Sequence, residues 1–97
     1  MPTFVSLLTW TEQGIKNFRD TTARAEAFRG LVEKHGGRLV SCYWTLGDYD
    51  IVATIDTPDP ETYMAVALEL GSLGNVRSTS LRAFDQGEIE AIIAETS

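Results

Sequence analysis

Cysteine, histidine and proline are scarce in this 97-residue chain, which holds one Cys, one His and three Pro. A lone Cys42 excludes an intrachain disulfide and any multi-cysteine zinc or iron–sulfur site. It fits a reducing cytoplasm, where thiols stay free. With His35 as the only imidazole, a histidine-cluster metal site within one chain is excluded too, and no cofactor is implied. Basic residues are also few. Lys and Arg total 8 against 14 Asp and Glu, a net charge of -6. Nucleic-acid binding needs cations to displace the counterions around phosphate, and an anionic membrane surface repels such a chain. Neither is expected as a partner. No apolar run approaches the ~20 residues that span a bilayer, and the N-terminus lacks the basic and apolar segments of a secretory signal.

What is present suits one domain over residues 1–97. Apolar residues make up 43%, inside the globular range. Phe4 to Trp10 reads as a strand, being short and rich in β-formers. Thr11 to Asp20 reads as a short helix or a turn, broken by Gly14. Ala23 to Lys34 reads as a helix, with Phe28, Leu31, Val32 and His35 at helical spacing on one face. Arg24, Glu26, Arg29, Glu33 and Lys34 are assigned to the other. Asp20, Thr21 or Thr22 can cap its start, and Gly36-Gly37 ends it. A second helix is expected from about Pro60 to Leu70, capped by Asp59, with Tyr63, Val66, Ala67 and Leu70 inward. Val76 to Phe84 reads as the last strand and Gln86 to Ala94 as a short helix carrying Ile89, Ile92 and Ile93 on one side.

Between the two main helices lie two strands, Arg38 to Leu46 and Tyr49 to Asp56. Gly47-Asp48 suits a two-residue hairpin loop, since glycine takes the positive φ of a tight turn. Pairing Leu46 with Tyr49 sets Trp44 against Ile51, Cys42 against Ala53 and Val40 against Ile55, all on one apolar side. Tyr43 with Val52, Thr45 with Asp50, and Ser41 with Thr54 fall on the opposite, mixed side. The resulting order is an α+β, ferredoxin-like βαββαβ fold, with a four-stranded antiparallel sheet and helices on one face. The uncovered face, with Tyr43 and Val52 among polar residues, is expected to pair with a second copy.

Four short stretches carry a family resemblance: Trp10-Thr11 with Gln13-Gly14-Ile15, Leu46-Gly47-Asp48-Tyr49-Asp50, Gly74-Asn75-Val76-Arg77, and Leu81-Arg82-Ala83-Phe84. In this order and spacing the chain resembles the GYD-domain family of small bacterial and archaeal proteins, over almost its whole length. Trp10, Gly14, Gly47, Tyr49, Asp50, Arg77 and Arg82 match that pattern. The resemblance implies membership of the dimeric α/β-barrel group and pairing sheet to sheet. It implies no common activity, so no catalytic residue is carried over. The effector-binding domains of leucine-responsive regulators are more loosely similar, but no helix-turn-helix accompanies this chain.

Residues with a chemical reading are Trp10, Tyr43, Thr45, Asp50 and Arg82, taken together as a ligand-binding set. Asp50, beside Thr45, would orient a ligand or serve as a base if desolvated; its plainer role is to bond nearby backbone. Trp10 and Tyr43 offer aromatic walls for a pocket or a dimer contact. Arg77 and Arg82, five apart, lie on opposite faces and suit a carboxylate or an ordinary ion pair. Two functions are therefore expected from different classes. One is a non-catalytic small-molecule-binding or assembly module acting as a homodimer or larger homo-oligomer. The other is a cofactor-independent enzyme, oxygenase- or isomerase-like, with its cavity at the open sheet face.

Overall fold

The computed structural model describes residues 1–96. Strand β1 (Thr3–Trp10) leads into a short helix α1 (Glu12–Lys16), a single 3-10 turn (Phe18–Asp20) and helix α2 (Thr21–Lys34). Strands β2 (Arg38–Trp44) and β3 (Ile51–Asp56) follow, then α3 (Pro60–Ser72), β4 (Val76–Ala83) and α4 (Gln86–Ala94). The strands form one antiparallel sheet in the order β2-β3-β1-β4. The expected α+β, βαββαβ arrangement is present.

Local chemistry explains the helix starts. Asp59 accepts the Thr62 amide at 2.7 Å and Pro60 occupies the first turn of α3, where a missing N–H costs nothing. In α4 the Asp85 and Glu88 side chains each accept the other's backbone N–H, at 2.7 and 3.0 Å. Helix α2 differs from expectation, because Asp20 stands at its cap position without a side-chain bond. The Thr21 hydroxyl instead accepts from Trp44 Nε1 at 2.9 Å.

The core lies between the helices and one sheet face. Phe4, Leu8, Ala53 and Ile55 meet Val32 of α2 and Tyr63 and Val66 of α3. Burying each large aliphatic side chain contributes about 1.5–3 kcal/mol. The Phe4 and Tyr63 rings stack with centroids 4.0 Å apart, and the Tyr63 hydroxyl is satisfied by Ser80 Oγ at 2.6 Å. Alternation along the paired strands puts Phe4, Ser6, Leu8 and Trp10 of β1 on this side. Val5, Leu7 and Thr9 of β1 face away, beside Val52 and Thr54 of β3, Leu81 of β4 and Tyr43 of β2. Among the described residues, no helix lies over that outer face.

The hairpin register holds in part. Trp44 opposes Ile51, Cys42 opposes Ala53, Tyr43 opposes Val52 and Ser41 opposes Thr54, as expected. Val40 does not oppose Ile55. A bulge between Leu39 and Ser41 brings Leu39 there, so Leu39 is buried and Val40 is exposed. The two-residue turn is also corrected. The strands stop at Trp44 and start at Ile51, leaving residues 45–50 as the connection. Leu46 and Tyr49 are not a strand pair, and Leu46 projects fully into solvent. Gly47 does take the positive φ expected of it, +108°.

Candidate functional site

Asp50 is the joint of the hairpin. Its amide donates to Leu8 O, its carbonyl accepts from Thr45 N, and its Oδ2 accepts from Trp10 N, each at 2.8 Å. One residue thereby ties together the ends of β1, β2 and β3. Thr45 is adjacent, but its hydroxyl donates to Tyr49 O at 2.6 Å rather than to the carboxylate. The plainer role, bonding nearby backbone, accounts for every partner of Asp50.

The five residues read as a ligand set do not converge. Tyr43 stands on the open face, 66% exposed. Trp10 lies on the opposite, helix-covered side, so it is no wall of the open face. Arg82 shares that covered side but sits opposite Phe4, six residues along β1 from Trp10, about 20 Å away. Its guanidinium lies over the rings of Phe4 and Phe84 and 3.7 Å from Glu88. Arg77 lies on the other face, beside Thr9, as the spacing implies. His35 Nε2 approaches Glu69 at 3.3 Å and links α2 to α3.

A cavity of about 430 Å³ lies between α2, the end of α3 and the sheet, on the side opposite the open face where a cavity was expected. Its floor is Leu8, Trp10, Cys42, Ile51, Ala53 and Val76; Phe28, Leu31 and Leu70 form the helical walls. The volume falls within the range of small-molecule sites. It exists because the sheet offers Ala53 and Cys42 here, where larger side chains would close the gap. Polar groups stand among the lining: Thr21, Arg24, Glu69 and Asn75. Burial raises the Cys42 thiol above its ordinary range, and the charge of Arg29 opposes this less strongly. Trp10 Nε1 is buried with no hydrogen-bond partner.

Arg24 was assigned to the polar face of α2, yet it lines this cavity. The signal was available. Arg24, Phe28, Leu31 and His35 are spaced i, i+4, i+7 and i+11, which is one helical face. Arg24 donates from Nη1 to Asn17 O at 3.1 Å and from Nη2 to Gly14 O at 3.3 Å. Among the described residues it has no carboxylate partner.

Comparisons with known proteins agree with this architecture. Over 92 residues the chain is 32% identical to the glutamine synthetase and cystathionine beta-lyase binding protein of Thermus thermophilus, covering 94% of this chain and 97% of that one. A feast-or-famine regulatory protein of M. tuberculosis, solved with L-methionine, superposes with a TM-score of 0.68 at 16% identity. That match covers 89% of this chain but only 52% of the regulator, so the chain spans about half its length. A crystal structure of a Thermus thermophilus protein gives a TM-score of 0.57 at 24% identity over 88% of this chain and 95% of that one. No helix among the described residues is long and apolar enough to cross a membrane. The model of the GYD domain matches residues 4–93, and the chain belongs to the GYD-domain family.

Proposed function

We propose that this chain is a non-catalytic assembly module that pairs with itself through its open sheet face and holds other proteins or small molecules. The observation that carries this is the apolar content of that face. Val5, Leu7, Val52 and Leu81 lie together across three adjacent strands with Tyr43 beside them, and among the described residues no helix covers them. Tyr43 is 66% exposed and Leu81 48%. A contiguous row of this kind favours contact with another protein surface. The relative's name, a glutamine synthetase and cystathionine beta-lyase binding protein, supports an enzyme as the protein partner. The non-catalytic reading is supported by the candidate groups themselves. Asp50 is occupied by backbone, His35 is turned to Glu69, and the raised Cys42 thiol is disfavoured as the thiolate a nucleophile requires. A reducing cytoplasm is the setting proposed, since Cys42 stands alone.

Light scattering on the purified chain tests the pairing. We expect a homodimer or larger assembly, reduced to single chains by Tyr43→Glu and by Leu81→Glu, since each places an unpaired charge in the contact. A wild-type chain that stays single at high concentration overturns the proposal. Co-purification with the host's glutamine synthetase or cystathionine beta-lyase tests the partner class, and Tyr43→Glu separates binding that needs the assembly from binding that does not.

A further inference from the structure

We propose that the cavity under α2 and α3 is a binding site for a small monocarboxylate with an apolar body, held at its charged end by Arg24. The site lies within one chain, on the far side of the sheet from the open face, so it stands apart from the pairing proposed above.

Three observations converge on this ligand class. The volume, about 430 Å³, suits a small molecule rather than a single water. The floor and walls are predominantly apolar, with Leu8, Phe28, Leu31, Ile51, Leu70 and Val76 in contact with the space. They would take the body of the ligand and gain from excluding water. Arg24 then supplies the one lining charge that no opposite charge offsets. A guanidinium carries five N–H donors, and here two serve the carbonyls of Asn17 and Gly14. Those two bonds fix its orientation and leave donors for a carboxylate, the group whose geometry a guanidinium fork matches. Glu69, the acid on the same lining, is turned toward His35 at 3.3 Å, so it opposes an incoming carboxylate less than a free acid would. An amine is not selected, because Arg24 would repel it.

The lone cysteine reports occupancy. Cys42 lies on the cavity floor, so a bound molecule shields it from N-ethylmaleimide. The assay uses the intact chain with hexanoate, octanoate and 3-phenylpropionate, each matched to the alcohol and the amine of the same carbon skeleton. Labelling is run above neutral pH, because burial raises the thiol, and is followed by intact mass. We expect at least one acid to slow labelling in a saturable way, and its alcohol and amine to do so at least tenfold more weakly. Arg24→Gln should remove the preference for acid over alcohol while leaving the melting curve cooperative. Ala25→Phe, which fills the space from α2, should abolish protection by all three acids. If no acid protects Cys42, the site assignment is wrong. Equal protection by acid and alcohol overturns the role of Arg24. If labelling is already blocked without ligand and is released by removing residues 86–97, the cavity is filled by a neighbouring copy's isoleucine-bearing C-terminal helix, and the proposal is overturned in favour of that occupant.

Discussion

Replacing Gly14 by alanine should destabilise the protein, although alanine is the better helix former. Gly14 lies inside α1, and a Cβ built on it falls onto the backbone carbonyl oxygen of Asn75. That carbonyl cannot move freely, because it accepts the Thr11 amide at 3.1 Å. Thr11 Oγ1 also donates to Gly74 O at 2.5 Å, and Gln13 Nε2 reaches Leu73 O at 3.1 Å and Asn75 Oδ1 at 2.9 Å. The added methyl must push α1 off this loop and weaken two or more of these bonds. Each contributes about 0.5–1.5 kcal/mol net. Helix propensity returns about 0.8–1 kcal/mol, and the clash itself adds to the cost. The balance is a loss of about 1–3 kcal/mol, equivalent to roughly 5–15 °C in melting temperature for a domain of this size. Gly30 in α2 supplies the control, since nothing lies within 4 Å of a Cβ there. Gly30→Ala should stabilise by up to about 1 kcal/mol from propensity alone. Urea titration followed by far-ultraviolet circular dichroism measures both. If Gly14→Ala is neutral, or gains stability like Gly30→Ala, the close contact between α1 and the loop before β4 does not exist in solution.

At Gly47, φ is +108° with open space around the Cβ position, so Gly47→Val should cost about 1–3 kcal/mol from backbone strain alone; a wild-type denaturation midpoint would refute this. Asp50→Ala leaves the Trp10 amide without its carboxylate and should cost about 1.5–3 kcal/mol, with amide exchange at Trp10 accelerated as the specific readout. Asp59 is held below the ordinary carboxylate range by hydrogen bonding from Thr62, first from its side chain and then from its amide. Its folded value lies below its unfolded one, so the cap's contribution is complete above the unfolded pKa and fades as pH falls through the folded one. Melting temperature measured across acid pH should therefore fall less steeply in Asp59→Asn than in the wild type; parallel curves would show that the cap contributes nothing.

How far the sequence could be read follows from where its patterns were one-sided. Helices with Pro60 or a glycine stop were placed within a residue or two, because capping chemistry is local. The bulge in β2 was invisible, since Leu39 and Val40 are both apolar and either can be drawn inward without offending the pattern. Trp10 was left open between a pocket and a dimer contact for a related reason. Both faces of β1 carry apolar residues, Phe4, Leu8 and Trp10 on one and Val5 and Leu7 on the other, so alternation alone names no inner face. The hairpin loop was drawn too tight because Gly47-Asp48 fits a two-residue turn, while the bonds that fix the true turn run from Asp50 to β1 and depend on tertiary contact. The cavity is a property of what small residues leave empty, and no residue pattern announces it.

The positions that carry the family resemblance also have structural work in this chain. Gly14 lets α1 approach the Asn75 carbonyl, Gly47 supplies a positive φ, and Asp50 fastens three strand ends. Arg82 donates to the carbonyls of Thr3 and Ala83 and reaches Glu88, which anchors α4 beside the sheet. Residues used in this way define an architecture and leave its chemistry open. A second consequence follows from the alternation of β3. Val52 faces the open side while Ile51 and Ala53 line the cavity, so one strand forms a wall of both surfaces. Enlarging Ala53 to leucine would shrink the cavity without touching the open face, whereas charging Val52 would disturb the proposed pairing and leave the cavity's lining intact. Compared as single variants, the two substitutions separate what each side of the sheet contributes to binding.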